Sequence, residues 1–272
     1  MDLRTAGRVL PDLRVVPRGR VSLHEDADPV RVERLAARLR ADGVLRNPPI
    51  AAGVGEGFVV LDGANRLTAL GQLGMPFAPL QVVDYDDPAV RLDVWRHLIV
   101  DISLPEALER AGVPLERASR GDASRALAER RIACYVMTRT QTHVVPLPPG
   151  GLLGAALARV VDAYRGSVRI YRVPTDDFDA LAREYGESSA VVVFPRLEKA
   201  DILAIAGSPA KLPTGITRHL IPARALRVNV PLDLLSGGDP ARAHERLQDL
   251  IRRRLLDGSV RYYPEGAVLF DE

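Results

Sequence analysis

The sequence predicts a mixed α/β protein. Short runs rich in β-branched residues alternate along the chain with segments whose apolar residues recur at helical spacing. The clearest case is the segment 59–74, where an apolar run ends at Asp62-Gly63 and a helical pattern follows, closed by Gly74. With 272 residues the chain can bury a substantial core in one large domain or two smaller ones.

Composition excludes several classes of protein. A hydrophobic content of 47% and a charged content of 26% are ordinary for a globular protein, and the net charge of +2 is too small to indicate nucleic acid as a partner. Cys134 is the single cysteine, which excludes an intramolecular disulfide framework and a cysteine-rich metal site. Without a signal peptide pattern or an apolar run long enough to cross a membrane, we expect a cytoplasmic protein with no membrane partner.

The turn between the apolar run and the helix is suited to an anion. Gly63 permits a tight turn, and the first N–H groups of the helix, at its positive end, have no partners within the helix. Arg66 adds a planar, permanently charged group for phosphate oxygens. Asp62 would orient a hydroxyl, bridge to a metal ion or simply cap the turn. Taken alone, an Asp-Gly turn is more often only a turn.

Three other places combine reactive side chains with expected loops or exposed positions. His24-Glu25 precedes a helix that begins at Pro29, Trp95 and His97 fall on a predicted helical segment that starts near Asp86, and residues 217–219 carry Thr, Arg and His. Each of these places could also have a purely structural role, as a helix cap or a packed histidine. Together they supply a carboxylate, an anion site and a second donor cluster, which phosphoryl transfer requires.

Two weaker patterns concern the organisation of the chain. The run of Pro and Gly at 146–151 predicts a linker or domain boundary. Apolar residues at 260–263 and 267–270 predict a closing pair of strands.

Several motifs, taken in order, resemble one known superfamily. They are Leu23-His24-Glu25, Pro29, a helix to Gly43, Asn47-Pro48, Leu61-Asp62-Gly63-x-x-Arg66, Trp95-x-His97, Gly215-Ile216-Thr217-Arg218 and the stretch from Arg227 to Leu235. This pattern is similar to the ParB/sulfiredoxin fold and, within it, to the free L-serine kinases, which convert serine to O-phospho-L-serine. One branch of that family supplies siderophore biosynthesis of the staphyloferrin B type. The resemblance covers most of the chain, more weakly between about 100 and 205.

The resemblance implies an architecture and a reaction. Residues 1–100 would form a ParB/sulfiredoxin-like nucleotide-binding domain, and residues 101–272 an α/β domain that contributes a substrate-binding loop and completes the active-site cleft. The donor would be ATP or ADP with Mg²⁺, the acceptor would be L-serine, and the product would supply siderophore or other specialised-metabolite precursors. Homodimer formation is left open.

The resemblance also implies roles for the matching residues. Glu25 would be the general base, and Asp62 would orient the hydroxyl or a Mg²⁺ ion. The nucleotide would be bound by Asn47, Gly63, Ala64, Asn65, Arg66 and Thr68. Serine or its phosphorylated product would be bound by His24, Trp95, His97, Thr217, Arg218 and His219. Members of the family generally carry His where this chain has Asn65, and Asn can donate a hydrogen bond but cannot supply a charge.

Three alternative functions share parts of this pattern. A sulfiredoxin needs a cysteine in the turn at 63–66, where this chain has none. A chromosome-partitioning ParB needs an arginine-rich box and a helix-turn-helix, whereas residues 63–68 contain a single arginine. A nucleotide-binding regulator or sensor without kinase activity stays open, although Glu25 favours an enzyme.

Overall fold

The computed structural model describes residues 4–5, 8–166, 168–185 and 190–263. Its strands are β1 (Arg4–Thr5), β2 (Arg8–Val9), β3 (Asp12–Pro17), β4 (Val21–Leu23), β5 (Val44–Leu45), β6 (Ile50–Val54), β7 (Gly57–Asp62), β8 (Phe77–Val83), β9 (Arg91–Val94), β10 (Arg96–Ile99), β11 (Glu116–Ala118), β12 (Ile132–Met137), β13 (Thr142–Pro146), β14 (Ile170–Val173), β15 (Ala190–Val193), β16 (Thr217–Leu220) and β17 (Val230–Pro231). Its α-helices are α1 (Pro29–Asp42), α2 (Ala64–Gln72), α3 (Leu104–Arg110), α4 (Arg120–Ala128), α5 (Leu153–Asp162), α6 (Phe178–Tyr185), α7 (Lys199–Gly207) and α8 (Pro240–Leu256). This mixture confirms the α/β class predicted from the sequence. None of these helices has the length and apolar character needed to cross a membrane.

The chain divides into two compact units. The first contains the described residues up to Leu23, Ala27–Arg91 and the described residues from Leu220 onward, and the second contains His24–Asp26 and Leu92–His219. These units differ from a division at residue 100, because the segment after 220 returns to the first unit and contributes to its core. The Pro/Gly run at 146–151 lies inside the second unit, so the boundary predicted there was wrong.

The first unit is built on a five-stranded sheet in the order β3-β8-β6-β7-β4. Neighbours β4 and β7 are parallel, as are β6 and β8, while the other two pairs are antiparallel. Helix α1 starts at the N-cap Asp28, whose side chain accepts from the N–H of Arg31, and it ends at Gly43 in the left-handed region.

The apolar core of the first unit joins residues that are far apart in sequence. Val32 of α1 and Leu70 of α2 lie in the same buried cluster as Val230, Leu235 and Leu247 from the C-terminal part of the chain. Burial of apolar surface is the main stabilising contribution in such a cluster. The C-terminal segment therefore belongs to the fold that carries the turn at Gly63.

The second unit contains a six-stranded sheet in the order β11-β13-β12-β15-β10-β14, with antiparallel neighbours throughout. Every residue of β12 is buried, which explains its continuous apolar sequence. The helical segment predicted for Trp95 and His97 was wrong. Strand β10 pairs with β14 on one side and β15 on the other, so ladder hydrogen bonds decide the conformation there.

The strands predicted near the C-terminus are absent or outside the structure. Residues 260–263 have no strand conformation, and residues 267–270 lie outside the described residues.

The assignment of α8 to the core of the first unit can be tested by replacing its leucines with alanine. Leu247 is fully buried, whereas Leu256 on the same helix is 70% exposed. Replacing Leu247 with Ala should lower the free energy of unfolding by about 2–5 kcal/mol, because it removes buried contacts and leaves a cavity. Leu256→Ala should change it by no more than about 0.5 kcal/mol. Equal urea denaturation midpoints for the two variants would contradict this packing.

Candidate active site

The first unit presents an uncapped helix start after β7. Gly63 is the N-cap of α2 with φ of 107°, a conformation that favours glycine, and a Cβ there would lie 3.0 Å from Pro49. The N–H of Leu67 is the first to find a helical partner, the carbonyl of Gly63. The N–H groups of Ala64, Asn65 and Arg66 precede that bond and lie at the positive end of the helix. The sequence prediction of an anion-binding turn is consistent with this geometry.

Arg66 is built into the turn. Its Nη1 donates to the carbonyl oxygens of Asn47 and Pro48, at 3.0 Å each, and its Nη2 lies 3.3 Å from Oδ2 of Asp62. A guanidinium has five N–H donors, so Nε and one hydrogen of Nη2 are left for another acceptor. Arg66 therefore shapes the loop at Asn47 and can also meet a phosphate oxygen.

Asp62 has a second cationic neighbour that sequence analysis missed. Nη1 of Arg224 lies 2.5 Å from Oδ2 of Asp62, on the same oxygen that Arg66 approaches. The two guanidinium groups and one carboxylate carry a net charge of +1 beside the helix start. The residues are separated by 162 positions, and no local pattern marks Arg224 as a partner of the turn.

A buried glutamine holds the segment that carries Arg224. Gln81 of β8 is 3% exposed, donates through Nε2 to the carbonyl of Ala223 and accepts through Oε1 from the N–H of Ala225. Ala223 has φ of 50°, which is uncommon for a residue other than glycine. The two bonds to Gln81 fix that conformation and thereby the position of Arg224.

The residues around Asp62 do not fit a magnesium ion held by the protein. The carboxylate already accepts from two guanidinium groups, whereas Mg²⁺ requires oxygen ligands in near-octahedral geometry. Among the described residues, no cluster of three or more His, Cys, Asp and Glu side chains could hold a metal ion. Asp62 is thus placed to orient two arginines.

Asn65 connects the starts of two helices. Its Oδ1 accepts from the N–H of Asp28 at 2.8 Å, and Asp28 in turn caps α1. The bond uses the carbonyl side of the amide, so the NH₂ group of Asn65 keeps its donors for a ligand.

Asn47 and Thr68 make contacts within the protein. Oδ1 of Asn47 accepts from the N–H of Arg227 at 2.8 Å, which ties the loop before β6 to the C-terminal segment. The hydroxyl of Thr68 donates to the carbonyl of Ala64 inside α2. Both residues therefore support the turn through their described bonds.

In the second unit, Glu25 is held by a loop that precedes β16. The N–H of Leu212 donates to the carbonyl of His24, and the N–H of Asp26 donates to the carbonyl of Leu212. Together with the parallel bridge between Glu25 and Leu212, these bonds fix the short segment His24–Asp26.

The carboxylate of Glu25 is fixed by three donors. Oε1 accepts from the backbone N–H of Thr217 at 2.6 Å and from its hydroxyl at 2.5 Å, while Oε2 accepts from the N–H of Gly215 at 3.1 Å. An ionised carboxylate can accept about four hydrogen bonds. Among the described residues only three donors reach it, and Glu25 is partly exposed. One accepting position, on Oε2, is left for a ligand.

Two buried imidazoles lie behind this carboxylate. Nε2 of His24 lies 2.9 Å from the hydroxyl oxygen of Thr217. Since the hydroxyl hydrogen of Thr217 is donated to Glu25, Nε2 of His24 must be the donor to Thr217. The ring of His219 meets that of His24 edge-on, at 5.5 Å between centroids, and both residues are at most 5% exposed. His24 orients Thr217, His219 packs against His24, and neither histidine is at the surface of the unit.

Arg218 is a partly exposed cation of this cluster. Its guanidinium lies 4.3 Å from the centroid of the Trp95 ring and 4.0 Å from Oδ2 of Asp93, and its side chain is 31% exposed. Stacking on an aromatic face limits the rotamers of the guanidinium and leaves its edge available for a carboxylate or phosphate.

His97 is buried instead of lining a surface. It is 2% exposed, its Nδ1 lies 2.8 Å from the hydroxyl of Tyr164, and its Nε2 lies 3.1 Å from the carbonyl oxygen of Gly215. Burial lowers the pKa of His97 to about 4, so the ring is neutral near pH 7. The structure places His97 behind Gly215, where it contacts the protein through both nitrogens.

Comparisons with known proteins agree with the resemblance found in the sequence. No family model matches the chain. The ATP-dependent L-serine kinase SbnI of Staphylococcus aureus is 23% identical over 273 residues, covering 96% of this chain and 97% of the relative. An ATP-dependent L-serine kinase of Staphylothermus marinus is 23% identical over 218 residues, covering 78% and 86%.

Solved structures show that the fold is shared. The structure of SbnI with a C-terminal truncation superposes with a TM-score of 0.72 at 22% identity, covering 89% of this chain and 97% of that one. A free serine kinase in complex with AMP gives 0.72 at 19% identity, covering 83% and 94%.

The loop before β16, which supplies the N–H of Gly215 to Glu25, requires glycine at position 215. Its φ is +86°, and a Cβ there would collide with the guanidinium of Arg172. Gly215→Ala should lower the free energy of unfolding by about 1–3 kcal/mol, because alanine is strained at this positive φ. The matched control is Gly207→Ala, since Gly207 lies in a helix and has open space around its Cα, and it should stay within about 1 kcal/mol of wild type. Chemical denaturation of both variants measures the two free energies of unfolding. A Gly215→Ala protein as stable as the wild type would refute the positive φ of Gly215.

Proposed function

We propose that this chain, which is similar to ATP-dependent L-serine kinases over nearly its whole length, is itself a nucleotide-dependent kinase of free L-serine. The product would be O-phospho-L-serine. The observation that carries the proposal is the carboxylate of Glu25, held by Gly215 and Thr217 with one accepting position left on Oε2. A fixed carboxylate with one vacant lone pair is suited to accept the proton of an incoming hydroxyl.

The proposed reaction is a direct transfer. The serine hydroxyl donates a hydrogen bond to Oε2 of Glu25 while its oxygen approaches the terminal phosphorus of the nucleotide. As the new P–O bond forms, the bond between that phosphorus and the bridging oxygen breaks, and the hydroxyl proton passes to Glu25. Since the transition state of phosphoryl transfer is largely dissociative, the protein contributes mainly by positioning and by neutralising charge.

The turn of the first unit supplies that neutralisation in this proposal. The N–H groups at the start of α2 and the NH₂ group of Asn65 would donate to phosphate oxygens, and Arg66 with Arg224 would balance their charge. The contacts of Asp62 with both arginines support a role in orienting them. Magnesium would enter with the nucleotide, because the residues at Asp62 do not fit a protein-held ion.

Recognition of the acceptor would fall to the second unit. Arg218, stacked on Trp95, is placed to bind the carboxylate of serine or the phosphate of the product. His24 and His219 would act by holding Thr217 rather than by touching the substrate. We further propose a cytoplasmic enzyme whose product serves siderophore or other specialised-metabolite precursors, on the strength of the sequence resemblance.

Glu25→Gln tests the base assignment. The variant should lose more than about 99% of its turnover, since general base catalysis contributes roughly 10²–10⁴-fold, while nucleotide affinity stays at the wild-type value. Chromatographic separation of ATP, ADP and AMP during reaction with L-serine measures turnover, and calorimetry measures binding. Glu33→Gln, on an exposed face of α1, is the matched control.

The outcomes separate the two candidate functions. Wild-type turnover in Glu25→Gln would refute the role of Glu25. Nucleotide binding without transfer to any hydroxy amino acid, in the wild-type protein, would favour a nucleotide-binding regulator instead of a kinase.

Arg66→Ala and Arg224→Ala test the nucleotide site. Each should weaken nucleotide binding by about 1.5–3 kcal/mol, because a charge-assisted hydrogen bond to phosphate is lost. Arg242→Ala, an exposed arginine of α8, provides a control of equal charge change and should bind normally. Titration calorimetry checks the three affinities. Unchanged binding in Arg66→Ala would remove that residue from the phosphate site.

A further inference from the structure

Both backbone polar groups of Gly215 are engaged. The N–H donates to Oε2 of Glu25, and the carbonyl oxygen accepts from Nε2 of His97, each at 3.1 Å. The space where a side chain would be is filled by the guanidinium of Arg172. Gly215 is therefore held from both sides, by Glu25 at its N–H and by His97 at its carbonyl oxygen.

The surroundings of His97 fix which nitrogen carries the proton. A carbonyl oxygen only accepts, so Nε2 bears the hydrogen, and the neutral ring then has a lone pair on Nδ1. The hydroxyl of Tyr164, itself fully buried, donates to that lone pair. The ring of Phe194 packs edge-on against the imidazole at 4.9 Å between centroids. These contacts hold one tautomer and one ring orientation.

We propose that His97 is a positioning residue for Glu25, acting through Gly215. By holding the Gly215 carbonyl it keeps the Gly215 N–H on one lone pair of Oε2, which leaves the other lone pair directed at the acceptor hydroxyl. The proposal rests on the proposed kinase function, and it differs from the direct contact with substrate that the sequence resemblance implied for this residue. The sequence of contacts is Tyr164 to His97, His97 to Gly215, and Gly215 to Glu25.

Two substitutions separate this role from simple packing. In His97→Gln, the amide NH₂ falls near the position of Nε2 and can still donate to Gly215. In His97→Asn, the shorter amide falls near Nδ1 and reaches Tyr164 but not Gly215. Both variants replace the same ring by a neutral amide, so both lose the ring packing against Phe194. The contact with Gly215, kept in His97→Gln and lost in His97→Asn, is the difference that bears on Glu25.

We expect the loss of the Gly215 contact to lower kcat without changing nucleotide affinity. His97→Asn should lower kcat roughly 10- to 100-fold, as expected for a slightly misplaced catalytic group, with the nucleotide Kd unchanged. His97→Gln should recover kcat to within about threefold of wild type, since the oriented donor is restored. Equal losses in the two variants, in proportion to their melting temperatures, would overturn the proposal in favour of a packing role.

Tyr164→Phe is the second variant, chosen in case His97→Asn does not fold. It keeps the ring and removes only the hydroxyl that donates to Nδ1, so the other tautomer becomes accessible and Gly215 loses its donor for part of the time. We expect a fall in kcat of about 3- to 10-fold with unchanged nucleotide Kd. A wild-type kcat would contradict control of the tautomer by Tyr164.

Amide hydrogen exchange tests the contact without any assay of activity. The Gly215 N–H should exchange faster in His97→Asn than in the wild-type protein and at the wild-type rate in His97→Gln. Unchanged exchange in His97→Asn would overturn the claim that His97 holds Gly215.

A double variant links the contact to catalysis. If His97 acts only through Glu25, His97→Asn should cause no further loss in a Glu25→Gln background. An additional loss of the same size would show that His97 acts elsewhere. If Glu25→Gln is inactive and His97→Asn is fully active, the proposed role of His97 is wrong and the proposed function stands. If Glu25→Gln is fully active, the proposed function itself is overturned.

Discussion

The arrangement of the second unit depends on how the carboxylate of Glu25 is satisfied. A partly buried carboxylate needs donors of fixed direction, and here they come from Gly215, in the loop before β16, and from Thr217, the first residue of β16. The start of that loop is anchored by Lys211, whose Nζ donates to three carbonyl oxygens at the end of α7, and by the bridge at Leu212. These anchors allow the loop and the first residue of β16 to present two N–H groups to one side chain. Arg218 follows Thr217 in β16, so the donors to Glu25 and this cation share one support.

The first unit concentrates positive charge at the start of α2. An uncapped helix start, an arginine inside the turn and a second arginine from a distant segment concentrate positive charge around Asp62. That charge suits phosphate oxygens and does not suit a cation. Burial raises the pKa of the Cys134 thiol to about 12, which excludes it as a thiolate near neutral pH. The positive charge around Asp62 is what the proposed function requires of a nucleotide site.

The parts of the site that were predictable are those with local signals. Gly63 follows an apolar strand and precedes a helical pattern, and Glu25 lies just ahead of a capped helix, so both positions were found from the sequence. The position of Arg224 beside Asp62 was not predicted, because it depends on Gln81. The contacts involved join residues more than 140 positions apart in the sequence. The segment around His97 was predicted as a helix because Asp86-Asp87-Pro88 resembles a helix start. The hydrogen bonds that make β10 a strand come from β14 and β15, which are distant in sequence.

Phosphorus NMR tests the central claim, that a carboxylate oriented at Glu25 serves the phosphorylation of free serine. The reaction would contain the protein, Mg²⁺, L-serine and either ATP or ADP, with threonine and homoserine as comparison acceptors. We expect a phosphomonoester signal that coincides with added O-phospho-L-serine, with one of the two nucleotides as donor, and no such signal from the Glu25→Gln protein. The absence of transfer from either donor to any acceptor by a protein that binds nucleotide would contradict the claim.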